Sequence, residues 1–124
     1  MMKVGDRLSW ERTFTLEDIR LFGHFSGDEG EHHMRPDEGG RVMVHGLLTA
    51  TLPTKIGGDI NFIARDMHFH FHRPVFAGDT VTCEVEIMEL EEAAEFYHLK
   101  SRWTCRNQHG KEVMTGDSTG VVRK

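Results

Sequence analysis

From Asn61 to its last residues the chain alternates between apolar and polar side chains, and no other feature constrains its fold as strongly. MHFHFHRPV (67–75) sets Met67, Phe69 and Phe71 on one face and His68, His70 and His72 on the other. TVTCEVEIME (80–89) places Val81, Cys83, Val85 and Ile87 opposite Thr82, Glu84 and Glu86. FYHLKSRWTCRN (96–107) and KEVMTGDSTGVVRK (111–124) continue the pattern, with His109-Gly110 as the turn between them. A period of two marks strands with one buried face, so four long antiparallel strands are predicted.

The first half reads differently. TLEDIRLFGHF (15–25) predicts a helix: Thr15 is a side-chain N-cap, and Glu17 and Asp18 lie in the first turn, where the helix dipole favours acids. Leu16, Ile19, Phe22 and Phe25 recur at helical spacing, and Ser26-Gly27 ends the run. In RVMVHGLLTATLPTKIGG (41–58), Leu47, Leu48, Ala50, Thr51 and Leu52 are apolar or small almost all round, the pattern of a helix buried on every side. Pro53 predicts a kink or early end, and Gly57-Gly58 the stop. The resulting α+β plan is one domain over 1–124: a short strand, a helix, a loop, a buried helix and a long curved antiparallel sheet wrapped around that central helix. Long edge strands predict a homodimer or an assembly built from dimers.

Composition narrows the function class. A net charge of −5 with no basic stripe argues against nucleic acid as a partner. No run approaches the roughly 18 apolar residues of a membrane span. MMKVGDRLSW has no apolar signal core, and Cys83 and Cys105 form no CxxC pair, so free thiols in the cytoplasm are expected.

The chemistry-bearing residues concentrate in FSGDEGEHHMRP (25–36), with Asp28, Glu29, Glu31, His32 and His33. Taken alone, this loop fits a metal site, an acid–base pair or a solvated charged turn. The histidines of 68–72 could chelate a metal in the same way, though a polar sheet face is the expectation there.

SGD at 26–28, a histidine five positions after that aspartate, VHGLLTATL at 44–52 and RPVFAGDTV at 73–81 follow one another in order. In these motifs the chain resembles the MaoC-like (R)-specific enoyl-CoA hydratases of the hotdog fold, over residues 4 to 122. The resemblance implies that Asp28 and His33 are the catalytic acid–base pair. It also implies that the Gly46 N–H, opening the buried helix, binds the thioester oxygen. Thr54, near a position where the family carries a small hydroxyl, and His45, which also supports the helix entrance, are the implied substrate-side residues. The implied substrate is a trans-2-enoyl-CoA, with no metal and no cofactor beyond the coenzyme A of the substrate itself.

Two departures accompany the match. Gly30-Glu31 stands where the family has Asn-Pro, so Gly30 is expected to hold the turn by adopting positive φ. The connection from His33 to Gly46 is also shorter than the family's. Glu29, Glu31 and His32 are expected to be solvated surroundings, and Gly78-Asp79 a turn before a strand. Arg35, Arg41, Lys55, Arg65 and Arg73 are the cations available to coenzyme A phosphates. The alternatives are a hotdog acyl-CoA thioesterase and a non-catalytic acyl-thioester binder. The first is disfavoured because no Asp or Glu lies between Gly46 and Gly58.

Overall fold

The period-two segments form strands where predicted. In the computed structural model, which describes residues 2–124, they are β2 (Phe62–Phe71), β3 (Thr80–Glu92), β4 (Phe96–Arg106) and β5 (Glu112–Arg123), joined by β1 (Arg7–Thr13). All pair antiparallel in one sheet of order β1-β3-β4-β5-β2. The helices are α1 (Leu16–Ser26), α2 (Glu31–Met34), α3 (Gly46–Thr49) and α4 (Thr51–Asp59). None is long and apolar enough to cross a membrane.

The sheet curls. α4 packs against β1 and β3 and also against β2, at the opposite edge. Four strand spacings of about 4.8 Å would put the edges of a flat sheet roughly 19 Å apart, too far for a helix about 10 Å across to touch both. Register shifts between Ile87 and Glu89, Ala64 and Asp66, and Cys105 and Arg106 are bulges that increase local twist and help the sheet bend.

The apolar faces meet inside this curl. Val81, Cys83, Val85, Trp103, Cys105 and Met114 from the sheet pack with Leu48, Leu52 and Ile56 from the helices. Cys83 and Cys105 are free and fully buried, and they face each other across the β3–β4 pairing. The neighbouring Cys105 thiol and burial together push the Cys83 thiol far above its ordinary range.

α1 is capped as its sequence predicts. Thr15 Oγ1 accepts from the Asp18 N–H at 3.1 Å, and Asp18 Oδ2 accepts from the Thr15 N–H at 2.9 Å, a reciprocal capping box. Its apolar face is only half used: Ile19 is buried, whereas Leu16 and Phe25 are exposed.

The central helix corrects the sequence reading in two ways. It is not buried on every side, since Leu47 faces outward at 62% exposure. Nor does it bend at Pro53. The break falls at Ala50, which separates α3 from α4. The proline ring crowds the carbonyl four residues earlier, at Thr49, so the distortion appears one turn before the proline. Pro53 itself sits in the first turn of α4, where its missing N–H costs nothing. The helix runs through Gly57-Gly58, and the chain reverses at Asn61, a non-glycine residue with φ 58°.

Candidate active site

Gly27 ends α1 in the left-handed conformation, φ 79°, and its N–H returns to the Gly23 carbonyl at 3.0 Å. The chain then turns back over α1. Ser26 Oγ accepts from the Asp28 N–H at 3.0 Å, and Asp28 Oδ1 accepts from the Gly30 N–H at 3.3 Å. Gly30 does not adopt the expected positive φ; its φ is −56°. The left-handed residue is Gly27, and the Asp28 carboxylate spans the turn as an Asx motif. A Cβ on Gly30 would meet the exposed His32 ring at 3.1 Å, a contact a small shift of that ring relieves.

The next residues form the short helix α2, which carries His33 inward. His33 is buried, while the Asp28 side chain is 58% exposed. His33 Nδ1 lies 2.8 Å from the Met43 carbonyl, and the Met43 N–H donates to the His32 carbonyl at 3.0 Å. A carbonyl can only accept, so the Nδ1 of His33 carries a proton and its Nε2 is turned to the site. That Nε2 lies 3.8 Å from Asp28 Oδ2, longer than a direct hydrogen bond.

His45 completes the group. It is almost fully buried, its Nε2–H donates to the Asp28 carbonyl at 2.8 Å, and its ring stacks on His33 at 3.8 Å and 19°. Gly23 lies beneath it: a Cβ there would only touch His45 Nε2, at 3.6 Å, but would crowd the Met34 methyl at 2.9 Å. His32 remains exposed, yet its ring lies against His33 with centroids 3.9 Å apart. Gly46 directly follows His45 and opens α3, with the Phe71 ring so close that a Cβ on Gly46 would meet it at 2.9 Å.

Three of the five sequence candidates, Asp28, His33 and His45, are thus in contact, with Gly46 adjoining. Thr54 is elsewhere. Its hydroxyl donates to the Thr51 carbonyl at 2.8 Å, and it lines a separate cavity beneath α4. The double contact made by His45 is absent from the sequence reading; the only signal for it is a histidine beside the helix-opening glycine. Of the five cations considered, Arg73 lines the cleft shared by His33, Gly46 and Phe71. Arg35, Arg41 and Lys55 pair instead with Glu31, Asp37 and Asp59.

Asp28, His33 and His45 also offer ligand atoms within 4.8 Å of one another. His45 Nε2 is occupied as a donor to Asp28, which leaves His45 only its fully buried Nδ1, an atom without a partner among the described residues. The arrangement therefore suits proton transfer between Asp28 and His33 better than three-ligand coordination. On β2, His68 bonds Asp117 at 2.9 Å, and His72, just past its end, bonds Thr115 at 2.7 Å, as befits a polar sheet face. The Gly78-Asp79 turn is also as expected, with Asp79 Oδ2 accepting from the Phe76 N–H.

The family model described as FAS1-like, dehydratase domain region, matches residues 42–116. That span contains His45, Gly46 and β2 to β4 but not the loop of Asp28 and His33. A mitochondrial 3-hydroxyacyl-[acyl-carrier-protein] dehydratase of Arabidopsis thaliana is 28% identical over 130 residues, covering 98% of this chain and 78% of that protein. An (R)-specific enoyl-CoA hydratase of Aeromonas caviae is 29% identical over 126 residues, covering 94% of this chain and 92% of that protein. The solved (R)-hydratase from A. caviae involved in PHA biosynthesis matches with a TM-score of 0.83 at 27% identity, covering 96% of each chain.

Proposed function

The chain belongs to the FAS1-like dehydratase family, of the MaoC-like hotdog type, and from that premise we propose that it hydrates trans-2-enoyl-CoA to (R)-3-hydroxyacyl-CoA at Asp28 and His33. The observation that carries this reading is the gap of 3.8 Å between His33 Nε2 and Asp28 Oδ2. A water held between them would be shared by two groups able to exchange a proton.

Hydration adds hydroxyl to C3 and a proton to C2. The pair therefore enters the reaction holding one proton between its members. One takes a proton from the water as its oxygen attacks C3, while the other gives its own proton to C2. Exchange across the gap restores the starting state, and the same steps in reverse dehydrate the product. The Nδ1–H bond to Met43 fixes the imidazole so that only Nε2 serves this traffic.

Charge builds on the thioester oxygen as the enolate forms. In this reading the Gly46 N–H, at the start of α3, donates to that oxygen. Arg73, which lines the same cleft, meets a phosphate of the coenzyme in this reading. Thioester hydrolysis is the weaker reading, because the one carboxylate of α4, Asp59, lies at its far end in an ion pair with Lys55 at 2.7 Å.

The purified protein incubated with crotonyl-CoA is expected to lose the enoyl absorbance without releasing free thiol. Asp28→Asn and His33→Ala are each expected to lower kcat by at least about a hundredfold. Thiol release instead of hydration would reassign the protein as a thioesterase, and neither signal would leave a binder. Presenting the same crotonyl group on acyl carrier protein tests the carrier; a higher kcat/KM there would replace coenzyme A.

A further inference from the structure

Beneath α4 lies a cavity with apolar walls that include Ile56, Met67, Ile87 and Leu99. Its sheet side is not apolar. Across the strands runs the row Ile87, Ser101, Ser118, Met67, with two serines at the centre of the core. Both are buried, and their hydroxyl oxygens lie 2.9 Å apart. One O–H satisfies the other oxygen, and the accepting hydroxyl keeps its own proton with no acceptor among the described residues. In the adjoining row Trp103 is 97% buried and lines the same cavity, and its indole N–H has no partner among the described residues.

The cavity wall thus holds two buried, neutral donors and no charged side chain. An all-carbon occupant would leave both unpaired, which a core does not tolerate cheaply. A neutral oxygen acceptor would satisfy them, and with no cation present a carboxylate is not favoured. We propose that this cavity takes the far part of the acyl chain, and that the preferred chain carries a neutral oxygen there, as ketone, ether or hydroxyl. The proposal rests on the hydratase reading above, which puts the thioester at Gly46. Thr54, on the cavity wall, lies eight positions further along the central helix, roughly 12 Å at 1.5 Å per residue. A medium-length chain covers that distance.

The test uses calorimetric binding of saturated acyl-CoAs, which needs no turnover. Decanoyl-CoA is compared with analogues in which an ether oxygen replaces one methylene, scanned along the distal half of the chain. One analogue is expected to bind about tenfold more tightly than decanoyl-CoA, and the advantage is expected to shrink in the Ser101→Ala/Ser118→Ala variant, which keeps only the Trp103 N–H as donor. Equal binding across the whole scan, or an advantage undiminished in the variant, overturns the proposal. Crotonyl-CoA hydration measured on the same wild-type sample separates the two readings. Ether preference without hydration upholds the cavity assignment and removes the hydratase, and hydration without ether preference does the reverse.

Discussion

His45 touches both members of the proposed acid–base pair: its Nε2–H holds the Asp28 carbonyl at 2.8 Å and its ring lies against His33 at 3.8 Å. Removing it leaves the Asp28 and His33 side chains in the protein but frees their geometry. His45→Ala is therefore expected to lower kcat by about tenfold to a hundredfold with a smaller change in KM. His45→Gln, which keeps an N–H donor, is expected to recover part of the loss; steady-state kinetics on crotonyl-CoA reads both. Asp18 acts on stability. Burial alone would raise its pKa, but the Thr15 N–H and the Arg12 guanidinium, 2.9 Å away, outweigh burial and hold the carboxyl below its ordinary range. A folded pKa below the unfolded one gives stability that is present above the unfolded value and lost as pH falls through the folded value. Asp18→Ala is expected to cost about 1 kcal/mol at neutral pH. Urea midpoints should show the gap between wild type and variant closing as the medium is acidified past the usual carboxylate range.

At the scale of elements, the inner face of β5 depends on what it lacks. A Cβ on Gly116 would overlap the His68 carbonyl and meet the Trp103 ring at 2.6 Å. The indole can cover β5 only because the strand has no side chain there, and its neighbour on β2 is Phe69, with ring centroids 5.5 Å apart. Gly116→Ala is expected to destabilise the fold by about 3 kcal/mol, because neither the backbone nor the buried indole can yield. Thermal and urea unfolding of the variant would show it, and a change under 1 kcal/mol would contradict this account. The central helix shows how far local sequence reasoning reaches. Pro53 announced a distortion, but its site at Ala50 follows from the ring's clash one turn back, and α4 then survives because its inner face is packed.

At the scale of the molecule, β2 forms an edge of the sheet and pairs only with β5. Ile63 and Phe71 on this strand are 49% and 53% exposed, and Leu47, next to the glycine that Phe71 covers, is 62% exposed. An open edge carrying apolar side chains favours pairing with a second copy, which would also close the cleft beside Gly46. The 14.2 kDa chain is expected to sediment as a dimer, and Ile63→Lys to shift it toward monomer. Sedimentation velocity on both proteins decides this, and a monomeric wild type would refute it.

The sequence by itself determined the element types apart from α2, which forms where a loop was expected, because alternation in 62–124 and the capping box at Thr15 are local patterns that backbone geometry reads directly. It also marked Asp28, His33 and Gly46, through motifs with fixed spacing. Only the tertiary structure decided how those residues meet. The bond from His45 to Asp28 joins positions 17 apart, and the serine pair beneath α4 joins Ser101 to Ser118 across two strands. Such contacts depend on strand register and on the curl of the sheet, which no short stretch of sequence encodes. For the same reason Leu47 and Phe25, apolar in a helical pattern, face outward: periodicity identifies a face, but what covers that face is set by the rest of the molecule.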